Sequence, residues 1–413
     1  MKATTGDFDL DLVVRRARIL GLEGLRDIAV DGGRIVEVSG RVEGSGDSEI
    51  DAGGRLTSPG FVDAHMHLDK ALLSREAPNV SGTLGEAIEI MGRVKRGFTV
   101  ASVAGRTMRV AEMAAANGTT TIRTHVDVDP IVGLTGLRAL LRVKEECLAL
   151  VDIQIVAFPQ EGLTDVGGAE ELLRRAMEAG ADAVGGIPAL DPDPKRHIDI
   201  VFEIAREFGA DIDMHIDESD DPRDLTLEYY AEKAIMERPT GRTMAGHCCS
   251  LASVDDVTAG RVIGKVGEAG IDVVTLPSTN LYLQGRGDRY PKRRGITRVG
   301  ELMEAGVNVQ YASDNVRDPF NPFGNADMLE LALILAHGAQ MGGMGDLDAI
   351  FRMGTVNAAG AVGIAGDYGI GVGRRADMVV LDAGSPQEAI IGQAAKPYVV
   401  KGGRIVAEHG KLK

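Results

Sequence analysis

From about residue 58 onward, short runs of apolar, β-branched residues alternate with longer amphipathic segments rich in Ala, Glu, Arg and Leu. The short runs are 60–67 (GFVDAHMH), 120–128 (TTIRTHVDV), 152–160 (DIQIVAFPQ), 181–187 (ADAVGGI), 210–217 (ADIDMHID), 242–248 (RTMAGHC), 271–277 (IDVVTLP) and 307–314 (VNVQYASD). Each has the length and make-up of a strand. Segments such as 103–118, 136–150, 170–180 and 198–209 read as helices, and several close on Gly, a helix stop. Strands alternating with helices predict a parallel sheet. Eight of them over about 250 residues match a closed (β/α)8 TIM-type barrel. The competing architecture, a doubly wound open sheet, usually carries a Gly-rich phosphate loop after its first strand. This chain has none there.

The two ends follow another rhythm. Residues 8–38 alternate in the manner of antiparallel strands, with Gly32-Gly33 as a hairpin turn. Residues 376–384 and 396–410 repeat that style around a second Gly-Gly pair. The expectation is a small composite β-sandwich domain built from both termini, residues 1–57 and 367–413, flanking a barrel over 58–366.

Composition narrows the function classes. The 54 glycines lie between apolar runs rather than in one tract, which marks many tight connections. Charged residues at 26% and hydrophobic ones at 44% exclude a disordered or fibrous chain. The 61 acidic against 45 basic side chains give a net charge of −16. A free-standing nucleic-acid binder would show the opposite sign, because its affinity rests on phosphate contacts. No run of about 18 apolar residues suggests a membrane span, and the N-terminus shows no apolar leader. Cys147, Cys248 and Cys249 do not make a disulfide framework. A cytoplasmic protein with neither nucleic-acid nor membrane partners is expected.

With only eight histidines, their positions carry information. His65 and His67 are two apart at the end of the first strand, and a strand's side chains alternate, so both share one face. In a barrel that face is the lumen, at the C-terminal rim where active sites lie. An isolated pair would read as hydrogen-bonded core residues. Here, however, His215 ends the fifth run, His247 the sixth and Asp314 the eighth. Four imidazoles and a carboxylate would meet above the barrel axis. Such donors suit one divalent ion, Zn²⁺ or Fe²⁺, with a position left for water. An ion of this kind lowers the pKa of bound water from about 15.7 to about 7. Glu218, three residues after His215, is placed to carry a proton from that water to a substrate nitrogen and then to a leaving amine. Its alternative is a solvated carboxylate in the acidic run 217–221.

Other candidates carry less. His125 reads as packed or hydrogen-bonding, and His197, His337 and His409 as exposed or capping. The basic island Arg286–Arg294 reads as a solvated loop over the barrel mouth. Cys248-Cys249 reads as buried packing, since metal-binding cysteines usually keep a spacer. The fourth run ends in glycines without lysine, so the carboxylated lysine that bridges two metals in binuclear hydrolases of this barrel type is missing and one ion is expected. The signature of zinc base-editing deaminases is also missing.

These residues, together with 58–70 (SPGFVDAHMHLDK), 81–89 (SGTLGEAIE), 123–129 (RTHVDVD), 152–162 (DIQIVAFPQEG), 215–218 (HIDE), 283–299 (LQGRGDRYPKRRGITRV) and 373–382 (GRRADMVVLD), resemble the amidohydrolase superfamily. Within it the chain looks like cytosine deaminase and its close relatives. The resemblance implies metal ligation by His65, His67, His215 and Asp314, with His247 orienting or polarising the metal-bound hydroxide. It implies Glu218 as proton shuttle, Gln160 on the amide-like edge of a ring, Leu84 and Phe320 lining the pocket, and Asp314 accepting the water's proton.

Two positions depart from cytosine deaminase, which has histidine before and aspartate after the ligand aspartate. Here these are Ser313 and Asn315. Asn315 offers an NH₂ donor where a carboxylate only accepts, so discrimination at the exocyclic group is expected to change. The run 312–328 is also similar to triazine-processing relatives that remove an alkylamine from N-isopropylammelide, although those carry a histidine where this chain has Glu218. The implied activity is a mononuclear metal-dependent aminohydrolase of a small nitrogen heterocycle, cytosine or a cytosine-like pyrimidine, releasing ammonia. The alternatives are an N-alkyl triazine amidohydrolase releasing an alkylamine and a cyclic amide hydrolase. A non-catalytic scaffold is disfavoured because the ligand set is complete. The implied partners are a heterocyclic substrate and further copies of the chain in a homo-oligomer.

Overall fold

A computed structural model describes residues 10–413. All eight runs form strands: β1 Phe61–Met66, β2 Thr119–Asp127, β3 Asp152–Phe158, β4 Ala183–Val184, β5 Asp211–Ile216, β6 Thr243–His247, β7 Asp272–Thr275 and β8 Val309–Tyr311. They pair in parallel and in sequence order. The ring is nearly closed. Across the seam between β8 and β1, His67 N–H donates to the Asp314 carbonyl at 2.9 Å and Asp314 N–H to the His65 carbonyl at 2.8 Å. Asp63 on β1 reinforces the seam by accepting from Ser313 N–H at 3.1 Å and from the Ser313 hydroxyl. Ser313 therefore spends its side chain on closure.

Sequence punctuation sets the helix bounds. The helix Val100–Ala116 begins three residues before its expected start, because Thr99 and Ser102 cap each other's backbone at 3.1 Å. The helix Pro194–Phe208 likewise begins early, on an Asp193 cap followed by Pro at the first position. The expected helix 136–150 stops at Glu146, where the chain turns through Cys147. Strand β4 is only two residues long. Gly185 and Gly186 then lie directly against the Asp213 carbonyl and the His197 ring, where a Cβ would collide.

The strands of the two ends join in one nine-stranded sheet. Its centre is the antiparallel pairing of Leu56–Pro59 with Met378–Leu381, and Leu10–Ile19 pairs with Leu25–Asp31 beside it. The two Gly-Gly turns occur where expected, with Gly32, Gly33, Gly402 and Gly403 all at positive φ. They abut each other: a Cβ on Gly33 would lie 3.0 Å from the Gly402 carbonyl oxygen. Leu12, Val14, Ile28, Ile50, Met378 and Val400 pack into a core of their own, apart from the barrel's. Residues 8 and 9 of the expected N-terminal alternation lie outside the described residues. Among the described residues no helix is long and apolar enough to cross a membrane.

Candidate metal centre and ring pocket

The C-terminal ends of β1, β5, β6 and β8 converge on one point. The backbone there leaves the strand conformation abruptly. Asp217, His247, Cys248 and Asp314 all have positive φ, between 51° and 67°, without being glycine. Such residues persist only where the surroundings over-determine them, and they cluster at functional sites. The turns swing His247 and Asp314 inward toward His65, His67 and His215.

Four donor atoms then face one another. His65 Nε2 and His67 Nε2 lie 3.3 and 3.0 Å from His215 Nε2. Asp314 Oδ1 lies 3.6 Å from His65 Nε2 and 3.3 Å from His67 Nε2. Burial holds all three imidazoles well below their ordinary pKa, so they are neutral and present lone pairs. Lone pairs at this spacing repel unless a cation lies between them. Ligand atoms about 2.0–2.1 Å from a tetrahedral ion are separated from each other by about 3.3 Å. The donor set therefore fits a single metal ion. His247 joins the same cluster, with His65, His215 and Asp314 each offering an atom within 4.8 Å of the others.

His247 is oriented from outside the cluster. Its Nδ1 accepts from Asn280 Nδ2 at 3.0 Å, which leaves the proton on Nε2. Glu218 is buried, with Oε1 3.6 Å from His247 Nδ1. Burial, reinforced by the nearby Asp314 charge, pushes its carboxyl well above the ordinary range. The loop carrying Glu218 is anchored by Asp217, which accepts from Thr226 N–H and Oγ1 at 2.7 Å and from Leu227 N–H at 3.0 Å. The solvated alternative for Glu218 does not hold.

Above the cluster lies a tight cavity of about 10 Å³, flanked by Gln160, Glu218, His247, Asn315 and Phe320. That is room for about one water. Leu84 stands one layer further out. It packs against the apolar cluster that holds Leu283 and Phe320 and lines a second cleft of about 520 Å³, open to solvent, which shares Glu218 with the inner cavity.

One N–H of the Asn315 NH₂ group donates to Asp318 Oδ2 at 2.7 Å, and the second N–H and the carbonyl oxygen remain for other partners. Burial pushes Asp318 up to about 7, against the bonds it accepts from Asn315, Phe320 and Asn321. His197 corrects the sequence reading. It is fully buried, accepting from Ile187 N–H at 3.1 Å through Nε2 and bonded to Asp191 through Nδ1. It thereby pins the β4 loop, and Ile187 faces the cavity. His125 is buried, its ring 4.1 Å from that of His65, while His337 and His409 are exposed. Arg293 of the basic island reaches the Asp220 carbonyl and pairs with Asp288 at 2.8 Å, above the outer cleft.

Sequence reasoning missed Lys70, which lies in the same motif as the histidine pair. Its buried Nζ bonds Asp127 at 2.7 Å and Gln160 Oε1 at 3.0 Å, between the rings of Phe158 and Phe320. Lys95 backs it, 3.1 Å from Asp127, 2.6 Å from Asp129 and 2.6 Å from Glu161. Burial opposes ionisation of Asp127, but the two ammonium groups hold its carboxyl below the ordinary range. The signal available was a lysine three residues after His67, between Asp69 and the apolar run 71–73. Phe158, stacked on His215 at 4.2 Å, was missed as well.

Comparison with known proteins places this geometry. Residues 48–407 match the model of the amidohydrolase family. The chain is 35% identical over 410 residues to N-isopropylammelide isopropyl amidohydrolase of Pseudomonas sp. (strain ADP), covering 97% of this chain and 98% of the relative. Its fold superposes on 5-methylcytosine deaminase from Klebsiella pneumoniae, liganded with 5-fluorocytosine, with a TM-score of 0.92 at 35% identity, covering 96% and 97% of the two chains. It also superposes on N-isopropylammelide isopropylaminohydrolase from Burkholderia multivorans, with a TM-score of 0.84 at 30% identity, covering 97% and 99%.

Proposed function

Because the chain belongs to the amidohydrolase family, we propose that it is a mononuclear metal-dependent aminohydrolase that removes an exocyclic amine from a small nitrogen heterocycle. A cytosine-like pyrimidine releasing ammonia is the leading substrate. The observation that carries this reading is the position of one buried, proton-retaining carboxyl, Glu218, beside the His/Asp cluster in a pocket it shares with Gln160, Asn315 and Phe320.

His65, His67, His215 and Asp314 would hold the ion, Zn²⁺ or Fe²⁺, both of which accept such ligands. The ion supplies Lewis acidity that makes water a nucleophile at neutral pH. Around it the chain's own groups handle protons and orientation. Asp314 takes the proton of the attacking water, and His247 presents Nε2–H to the reacting oxygen. Glu218 delivers its proton to a ring nitrogen, recovers one from the hydroxyl added to the ring carbon, passes that to the departing amine, and is reset by the proton held on Asp314. Gln160, Asn315 and Phe320 seat the ring, and Leu84 guards its approach. We assign residues 58–366 to the barrel that builds this site and the described segments before and after it to the small β-domain, whose strand Leu56–Pro59 crosses the first boundary.

A second reading is supported by the outer cleft, which adjoins Glu218 and gives room for a substituent on the leaving nitrogen. On that reading an N-alkylated triazine loses an alkylamine. The test is turnover of cytosine, 5-methylcytosine, isocytosine, creatinine and ammelide-type triazines by metal-loaded protein, with ammonia and alkylamine assayed separately. Ammonia from the pyrimidines supports the first reading and alkylamine from an N-alkyl triazine the second. No turnover across the panel contradicts both.

A further inference from the structure

Behind the inner pocket lies a buried pair that the proposed chemistry does not use. His197, on the helix Pro194–Phe208, bonds Asp191 through Nδ1, and both side chains are buried. Each partner also gathers a different barrel loop. Asp191 holds the loop after β3, accepting from Leu163 N–H at 2.8 Å and from Thr164 N–H and Oγ1 at 3.0 Å. This loop carries Gln160. Its Gly162 has a φ of 98°, and a Cβ there would lie 2.7 Å from Asp191 Oδ1. His197 holds the loop after β4, where its Nε2 accepts from Ile187 N–H at 3.1 Å. The ring lies so close that any Cβ on Gly186 would collide with it. The Gly186 carbonyl in turn accepts from His215 N–H at 2.8 Å. One pair thus stands behind two residues of the pocket wall, Gln160 and Ile187, and behind the backbone of a donor in the His/Asp cluster.

The bonds fix the pair's protons. A ring nitrogen that accepts from an amide carries none, so the single proton of His197 is on Nδ1 and points at Asp191. Burial keeps the imidazole below its ordinary pKa. Burial opposes ionisation of Asp191, but the bonds from His197, Leu163 and Thr164 hold its carboxyl below the usual range. Removing either partner leaves a buried polar group unpaired on a loop that lines the pocket. The inner pocket has room for about one water, so a ring enters only as far as the walls give way. We propose, resting on the ring-aminohydrolase reading, that the Asp191–His197 pair is a clamp that stiffens the Gln160 and Ile187 walls and so limits the size of ring accepted. Neither residue lines the pocket itself, so both are positioning residues.

The test compares wild type with His197→Phe, which keeps a ring against Gly186 and removes both bonds, using the metal-loaded enzyme. Steady-state constants are measured for cytosine, 5-methylcytosine and 5-iodocytosine, three rings of increasing bulk. In His197→Phe the KM of cytosine should rise about tenfold, with kcat within about threefold and metal content unchanged, because a wall that must be ordered on binding weakens affinity alone. The larger rings should gain on cytosine in kcat/KM by about tenfold, the scale on which a pocket discriminates one methyl group. Lys401→Met, which removes an ammonium bonded to Asp152 and Asp377 at the opposite end of the barrel, is the control for lost stability and should keep the wild-type size preference. Equal size preference in His197→Phe and wild type overturns the clamp, as does the same change in Lys401→Met. Hydrogen exchange of the Leu163, Thr164 and Ile187 amides needs no substrate and separates this inference from the reading it rests on. In wild type those amides should exchange as slowly as those of the flanking strands, and in His197→Phe at least about tenfold faster. Fast exchange in wild type overturns the clamp even if His197→Phe does not fold. If no ring of the series or of the triazine panel binds or reacts while the three amides are protected as expected, the aminohydrolase reading falls and the clamp on the two loops stands.

Discussion

The two ends of the barrel use the same kinds of side chain to opposite effect. At the N-terminal end, Lys401 Nζ bonds Asp152 and Asp377, each at 2.7 Å, and the Thr120 carbonyl at 2.9 Å. Arg375 adds a bond to Asp152 at 2.8 Å. Every charge there faces its opposite, and the cluster ties the barrel to the sheet built from the chain's ends. At the C-terminal end, three neutral imidazoles and a carboxylate crowd within 3.0–3.6 Å of one another with no cationic side chain between them. Neighbouring carboxyl groups such as Glu218 are pushed toward keeping their protons. The contrast teaches that burying polar groups is not itself the sign of function. Arranging them so that they need something from outside is.

The widest expected separation is in activity. Glu218→Gln should lower kcat by about 10²–10⁴-fold while bound metal and melting temperature stay near wild type; a loss of metal or of fold in parallel would place Glu218 among the structural residues instead. Lys401→Met should do the reverse at the other end. It takes one of two cationic partners from the half-buried Asp152 and the buried Asp377, both of which keep Arg375, and should cost about 1–3 kcal/mol in chemical denaturation, with kcat of the folded protein unchanged. Asp272, at the start of β7, sharpens the comparison with a smaller effect. Burial pushes it up to about 6, despite a hydrogen bond from Asn308 at 2.8 Å. Its folded pKa lies above its unfolded one, so the stability it contributes is intact below about pH 4 and is lost as pH rises through about 6. Asp272→Asn should therefore stabilise the protein by about 1–2 kcal/mol near pH 8 and by nothing near pH 4, as measured by melting across that range. A gain independent of pH would assign the effect to packing.

The barrel was legible in the sequence because each strand carries its own apolar run and several helices carry a cap or a closing glycine of their own. The donor cluster was legible because period 2 puts His65 and His67 on one face, and because His215, His247 and Asp314 each end a strand. Lys70 was not. It is placed by Asp127 and Gln160, from two other strand ends, and the Asn315 amide is held by a residue three positions on. Those are contacts of the folded chain and leave no period. His197 misled because its helix position looked peripheral, whereas its ring turns inward onto Asp191 and Ile187. Leu84 belongs to the correct wall but lies one shell out, which no spacing rule conveys.

The most direct test is the metal content of purified protein, per chain, for wild type and for His215→Ala, with circular dichroism to show that both are folded. One equivalent of zinc or iron in the wild type, lost in the variant with the fold retained, is the expected result. A wild type free of transition metal after growth and refolding with Zn²⁺ or Fe²⁺ supplied, or a variant that still holds one full equivalent, would contradict it.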